Sequence, residues 1–119
     1  MEVSKVRSDL EERTFNFARD VRRFVKTLPR NISFVADGAQ LIRASGSVGA
    51  NYLEAQEAMS RKDFGLRIKI SRKEAKESRY WLGLLEGVPT TLANEHQRLY
   101  KEATELLKIL SAIVEKLRN

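Results

Sequence analysis

Gln40-Leu41-Ile42-Arg43-Ala44-Ser45-Gly46-Ser47-Val48-Gly49-Ala50-Asn51-Tyr52-Leu53-Glu54-Ala55 is the stretch on which the fold turns. Its two glycines each cost a helix about 1 kcal/mol relative to alanine, so local propensity permits a break. The stepping across them argues for continuity. Val35, Ala39, Ile42, Gly46, Gly49, Leu53 and Gln56 alternate intervals of four and three, which keeps one stripe along a helix. The spacing therefore predicts one unbroken helix, capped by Asn31 or Ser33, whose small-residue stripe a neighbouring helix approaches closely. On that placement a leucine at Gly46 intrudes into packed space, at a cost of about 1–3 kcal/mol or more.

The same stepping extends to both sides. Leu10, Thr14, Phe17, Val21, Phe24 and Leu28 form the stripe of a first helix, stopped by Pro29-Arg30-Asn31. A third helix opens at Ser60-Arg61-Lys62-Asp63, a cap-like serine with an acid three residues on. Its stripe is Phe64, Ile68, Ser71, Ala75, Ser78, Leu82 and Leu85, and Gly87-Val88-Pro89 ends it. A fourth follows a Thr90-Thr91 cap along Leu92, His96, Leu99, Ala103, Leu106, Leu110, Ile113 and Leu117. No stretch alternates as a strand does. Four helices with short turns predict an all-α, antiparallel up-down-up-down four-helix bundle over residues 1–119.

Composition bounds the rest. The 119 residues suit one domain, and 42% hydrophobic content supports a packed core. With no cysteine, disulfide scaffolds and thiolate metal sites are excluded. Met1-Glu2-Val3-Ser4-Lys5 leads into charged sequence rather than an apolar signal core, and no apolar run reaches membrane-spanning length. A cytoplasmic protein without membrane contact is expected. Apolar residues beside the stripes are Phe15, Ala18 and Val25 in the first helix, Ile70, Trp81 and Leu84 in the third, and Tyr100, Leu107 and Val114 in the fourth. A small bundle cannot hide all of these, so self-association is expected.

The net charge of +6 is unevenly spread. Residues 13–79 hold 15 Lys+Arg and 7 Asp+Glu, a net of +8, and the remainder nets −2. The first helix supplies Arg19, Arg22, Arg23 and Lys26, with Arg30 in the turn. In the third helix Lys62, Lys69, Arg72, Lys76 and Arg79 step by seven, three, four and three along one flank. None of these five has an acid three or four residues away, so intrahelical pairing cannot neutralise the row. A sorted basic flank fits phosphate contact with RNA or DNA, although plain solvation is the alternative.

Catalytic and cofactor signatures are sparse. His96 is the sole imidazole and lies on an inner stripe, where a structural hydrogen bond is the commoner role. Position 93 is alanine, so the Glu-x-x-His of di-iron bundles fails, and no arginine shortly precedes the histidine as in small helical ribonucleases. There is no Walker-type loop. Gly46-Ser47-Val48-Gly49 matches the GxxG of KH domains without the strands that fold needs. One enzymatic constellation has to be weighed. Glu54/Glu57 and Glu74/Glu77 are acid pairs that, on neighbouring helices, suit Mg²⁺-dependent nucleotide pyrophosphate hydrolysis. Surface pairs of Arg61 with Glu57 and of Lys73 with Glu77 compete with that use. No catalytic residue, metal or cofactor is assigned.

The run Gln40 to Ala55, then Ser60-Arg61-Lys62-Asp63-Phe64, then Glu74-Ala75-Lys76-Glu77-Ser78-Arg79-Tyr80-Trp81-Leu82, closely resembles the bacterial proteins of the 23S rRNA intervening-sequence family. Arg43, Ser47, Asn51, Glu54, Phe64 and Glu77 carry the resemblance. Where many members have Ile-Ala-x-Gly-Ser, this chain has Ile70-Ser71-Arg72-Lys73-Glu74, which suggests a subgroup. The resemblance implies a four-helix bundle without catalytic activity that assembles into a ring, typically a pentamer. It also relates the chain to accessory variability proteins of diversity-generating retroelements, basic pentamers that bind nucleic acid and a protein partner. Arg43, Asn51 and Glu54 flank the small-residue stripe, where polar side chains at the edge of a close approach pair to fix helix order. The resulting expectation is a non-enzymatic, basic, oligomeric nucleic-acid-binding or scaffold protein.

Overall fold

The computed structural model describes the backbone of residues 2–118 and the side chains of residues 9–118. Four long helices account for most of them: α1 (Glu2–Thr27), α2 (Ile32–Gln56), α3 (Arg61–Leu84) and α4 (Ala93–Leu117). No strand occurs among the described residues. The stretch across Gly46 and Gly49 is continuous helix.

The helix starts are set by local chemistry. The Asn31 side chain accepts the Phe34 N–H at 2.9 Å, and the Ser60 hydroxyl accepts that of Asp63 at 3.0 Å. Each satisfies one of the four amides that a helix leaves unpaired at its first turn. The third connection departs from expectation. Thr90-Thr91-Leu92 forms a single 3₁₀ turn, and α4 begins at Ala93 with no side-chain cap. Gly87 takes φ of +74° in this connection, a left-handed geometry that glycine adopts at little cost.

The inner stripe of α1 is as the sequence predicts: Leu10, Thr14, Phe17, Val21, Phe24 and Leu28 are all buried. In α3, Ile68, Ser71, Ala75, Ser78, Leu82 and the capping Leu85 are buried, with Phe64 half-buried at the bundle end. In α4 the stripe holds from Leu99 to Leu110. It then shifts by one, so that Val114 enters the core while Ile113 and Leu117 are only half-buried.

α2 corrects the sequence expectation. Its buried row is Phe34, Gly38, Leu41, Ser45, Val48, Tyr52 and Ala55, one residue behind the expected stripe throughout. Both rows step by four and three. The larger side chains Phe34, Leu41 and Tyr52 decide which one turns inward, because they bury more apolar surface. The expected stripe is rotated by about 100° and leaves Val35 and Leu53 half-exposed to solvent. The glycines of α2, Gly38 in the buried row and Gly49 in the expected one, still allow close approach on the side where α1 packs. A β-carbon on Gly38 would stand 2.9 Å from Val25 Cγ1, and one on Gly49 would stand 3.1 Å from Thr14 Oγ1. Gly46 meets only the far end of Arg22, so the expected core intrusion at this glycine does not arise.

α1 packs on α2 and α4, and α3 does the same, so α1 and α3 lie diagonally across the bundle. Polar contacts fasten the seams. Arg13 donates to both oxygens of the Glu102 carboxylate at 2.7 and 2.9 Å, Arg98 to Asp20 at 2.9 Å, and the Phe24 ring stacks on His96. Between α2 and α3, the Ser71 hydroxyl donates to the Val48 carbonyl at 2.7 Å. Between α3 and α4, His96 Nε2 bonds the Leu82 carbonyl at 2.7 Å, which requires the proton on Nε2. The sole histidine is thus a satisfied structural group.

Candidate nucleic-acid interface

The inner row of α3 fixes where its other faces point. With Ile68, Ala75 and Leu82 buried, and with Gly65 beside Leu117 and Gly83 beside Tyr100, the flank carrying Lys62, Lys69, Arg72, Lys76 and Arg79 lies towards α4 and solvent. The three lysines are exposed and the two arginines half-buried. Among the described residues none of the five makes an ion pair. Lys73, expected to pair with Glu77, is also exposed and unpaired, because Glu77 bonds Arg43 instead at 2.9 Å. It therefore joins the basic face. The sequence concealed this, since an acid four residues on is the usual mark of a neutralised lysine.

The basic residues of α1 form a separate group. Arg19, Arg22, Arg23 and Lys26 line a shallow groove with Phe15, Ala18 and Gly46 between α1 and α2, away from the diagonal helix α3. Arg19 and Arg23 share Asp20 as a partner at 3.2 and 3.9 Å. Arg22 bonds the Ala18 carbonyl at 3.0 Å and covers Gly46. Only Lys26 of these four is without a partner. The basic residues that look like one set in sequence are two sets on different faces, and the α3 face has the less neutralised charge.

Asp20 is the best-connected acid. Its partial burial opposes ionisation, yet hydrogen bonds from Arg98 and Arg19 outweigh that and hold its carboxyl below the usual range. The hydrogen bond to Glu102 similarly raises the Arg13 guanidinium above its ordinary value.

The other motif residues have identifiable contacts. Arg43 reaches across to α3, donating to Glu74 at 3.3 Å and to Glu77 at 2.9 Å. It clamps the two helices at the rim of the core, where Glu74 is nearly buried. Asn51 Nδ2 donates to the Ser47 carbonyl at 2.9 Å within α2. Glu54 is exposed and unpaired. The acid pairs Glu54/Glu57 and Glu74/Glu77 do not meet. The second pair is occupied by Arg43, and no three His, Asp or Glu side chains gather as a metal site among the described residues. The expected Arg61–Glu57 pair is also not formed, since Arg61 donates to the Leu117 carbonyl at 3.1 Å. No helix is long and apolar enough to cross a membrane among the described residues.

The pattern defining the 23S rRNA-intervening sequence proteins matches residues 7–112. The chain belongs to that family. The chain is also similar to a solved structure, a protein of unknown function from the S23 ribosomal protein family of Bacteroides thetaiotaomicron VPI-5482. The two are 28% identical with a TM-score of 0.78, over 92% of this chain and 97% of that one. Comparison with curated proteins finds no match. The segment matched by the family pattern takes in the Arg43 clamp and the whole basic face of α3.

Proposed function

We propose that this chain is a non-enzymatic bundle protein that holds the phosphate backbone of RNA or DNA on α3, alone or as the scaffold of a nucleoprotein complex. One observation carries the proposal: Lys62, Lys69, Arg72, Lys76 and Arg79 share a flank on which none of them has an ion-pair partner among the described residues. Unpaired cations aligned over about 26 Å of helix suit a polyanion, because each phosphate contact releases a condensed counterion. The protomer is an antiparallel up-down-up-down bundle. Contacts between Arg13 and Glu102, Asp20 and Arg98, Arg43 and Glu74, and Val48 and Ser71 support that order. We propose further that protomers assemble into a cytoplasmic ring, five being the number the family resemblance implies.

Salt dependence tests the binding. The log–log slope is about −0.9 per phosphate neutralised on duplex DNA and about −0.7 on single strands. Replacing Arg72 and Lys76 together by alanine is expected to make the slope shallower by roughly one to two units. Fold stability is expected to change little, since these side chains have no ion pair to lose. The control is Lys116→Ala with Arg118→Ala, outside the flank, where Arg118 already pairs with Glu115 at 3.6 Å. Equal loss in both double variants would mean generic attraction to a cationic protein. No binding at low salt would move the function to scaffolding by protein contacts.

A further inference from the structure

Tyr80 stands on the same face of α3 and is 60% exposed, unusual for an aromatic side chain in a small bundle. At 100° per residue, Lys62, Lys69, Lys73, Lys76 and Tyr80 fall within an arc of about 60°. Trp81, packed against the hydrophobic core, meets the Tyr80 ring edge to face with centroids 5.2 Å apart and planes at 75°. A perpendicular contact occupies at most one face of the Tyr80 ring, and with 60% of the residue exposed the other is open to a partner.

We propose that Tyr80 is a stacking platform for an unpaired base, which makes the α3 face selective for single-stranded over double-stranded nucleic acid; this rests on the phosphate-binding role of α3 given above. The chemistry divides between neighbours. Lys73 and Lys76, seven and four residues earlier on the same face, hold backbone phosphates, while the aromatic ring takes the face of a base between them. A duplex can place phosphates against the same lysines, but its bases already stack on one another and offer no free face. Stacking of this kind tolerates any base, because every base has a π-face. The Tyr80 hydroxyl has no hydrogen-bond partner among the described residues, and stacking uses the ring rather than the hydroxyl.

The test uses the full chain with two fluorescein-labelled probes of about 20 nucleotides, a mixed-sequence single strand and its duplex. Tyr80→Ala is expected to weaken single-strand binding roughly 5- to 150-fold, with its salt slope kept, and to leave duplex binding unchanged. Tyr80→Phe is expected to bind as the parent does. Trp81, the only tryptophan, gives a second readout: its emission should respond to the single strand and not to the duplex. The substitution removes an exposed ring, and a thermal melt confirms that the variant is folded. Equal losses on both probes, or no loss on the single strand, would overturn the stacking role while phosphate binding by α3 stands. If neither probe binds the parent at low salt, the phosphate-binding role fails as well.

Discussion

Gly38, Gly46 and Gly49 lie on one edge of α2, and what a β-carbon would meet differs at each. At Gly46 it meets Arg22 NH2 at 3.1 Å, the far end of a flexible side chain that can swing away. At Gly38 it meets Val25 Cγ1 at 2.9 Å, and a β-branched valine in a helix has one strongly preferred rotamer. Alanine in place of glycine in a helix interior gains about 1 kcal/mol where nothing is displaced. Gly46→Ala is therefore expected to raise the melting temperature, and Gly38→Ala to fall below Gly46→Ala. A thermal melt of the two variants beside the parent checks the order. The reverse order would mean that Arg22, not Val25, is the rigid neighbour. The same residue-level logic makes Arg43 a structural clamp. It spends its donors on Glu74 and Glu77, which leaves it poorly placed to bind a phosphate.

Among the elements, the α1–α4 seam depends on charge through Arg13–Glu102 and Asp20–Arg98, as the α2–α3 seam does through Arg43. Because the Asp20 carboxyl is depressed in the folded protein, its contribution to stability is full above the unfolded value of about 4. It is lost as pH falls through the lower, folded value. Asp20→Asn is thus expected to destabilise the bundle at about pH 7, and by less in acid well below about pH 4. Urea unfolding under both conditions measures this, and a gap undiminished in acid would show that Asp20 acts through shape rather than charge. Much of the element level was legible in sequence. The α1 and α3 stripes and the Ser60 cap follow from spacing and capping chemistry alone, and Asn31 is one of the two caps expected for α2. α2 was not so simply legible. Its two apolar rows have the same period, and only side-chain size separates Phe34-Leu41-Tyr52 from Val35-Ile42-Leu53. The start of α4 was hidden for a different reason. Thr90 and Thr91 have cap chemistry but are taken up by a 3₁₀ turn. At the candidate site the α3 row was legible because its charges share one helix. The separation of the α1 row was not, since it depends on which helices are diagonal.

For the whole molecule, the outward row of α2 explains where copies of the chain can meet. Phe15 is 66% exposed, and Leu53 and Val35 about half, along the edge where α1 meets α2. Gly46, Gly49 and Ala50 leave that edge shallow, with Glu11 and Glu12 lining one part of it and Arg19, Arg22, Arg23 and Lys26 another. Of the apolar residues that the sequence left beside the stripes, Val114 is core, and Val25, Trp81 and Leu107 pack against the core. Of the rest, Leu84 and Tyr100 are 42% and 43% exposed and Phe15 66%, so the α1–α2 edge is the leading candidate for a subunit contact. That edge is separate from the basic face of α3, so the proposed assembly and the proposed nucleic-acid binding would not compete. In solution the protein is expected to exceed its 13.6 kDa protomer mass severalfold at micromolar concentration. Phe15→Glu with Leu53→Glu is expected to yield monomers of unchanged helicity, because both side chains already face solvent within the protomer. It is also expected to weaken binding to long nucleic acids more than to short ones, since the proposed ring would join several α3 faces and raise the effective concentration of each. Light scattering and circular dichroism on the double variant decide the matter. A parent that is already monomeric would rule out the ring, and an oligomer that survives both charges would place the contact elsewhere than on the α1–α2 edge.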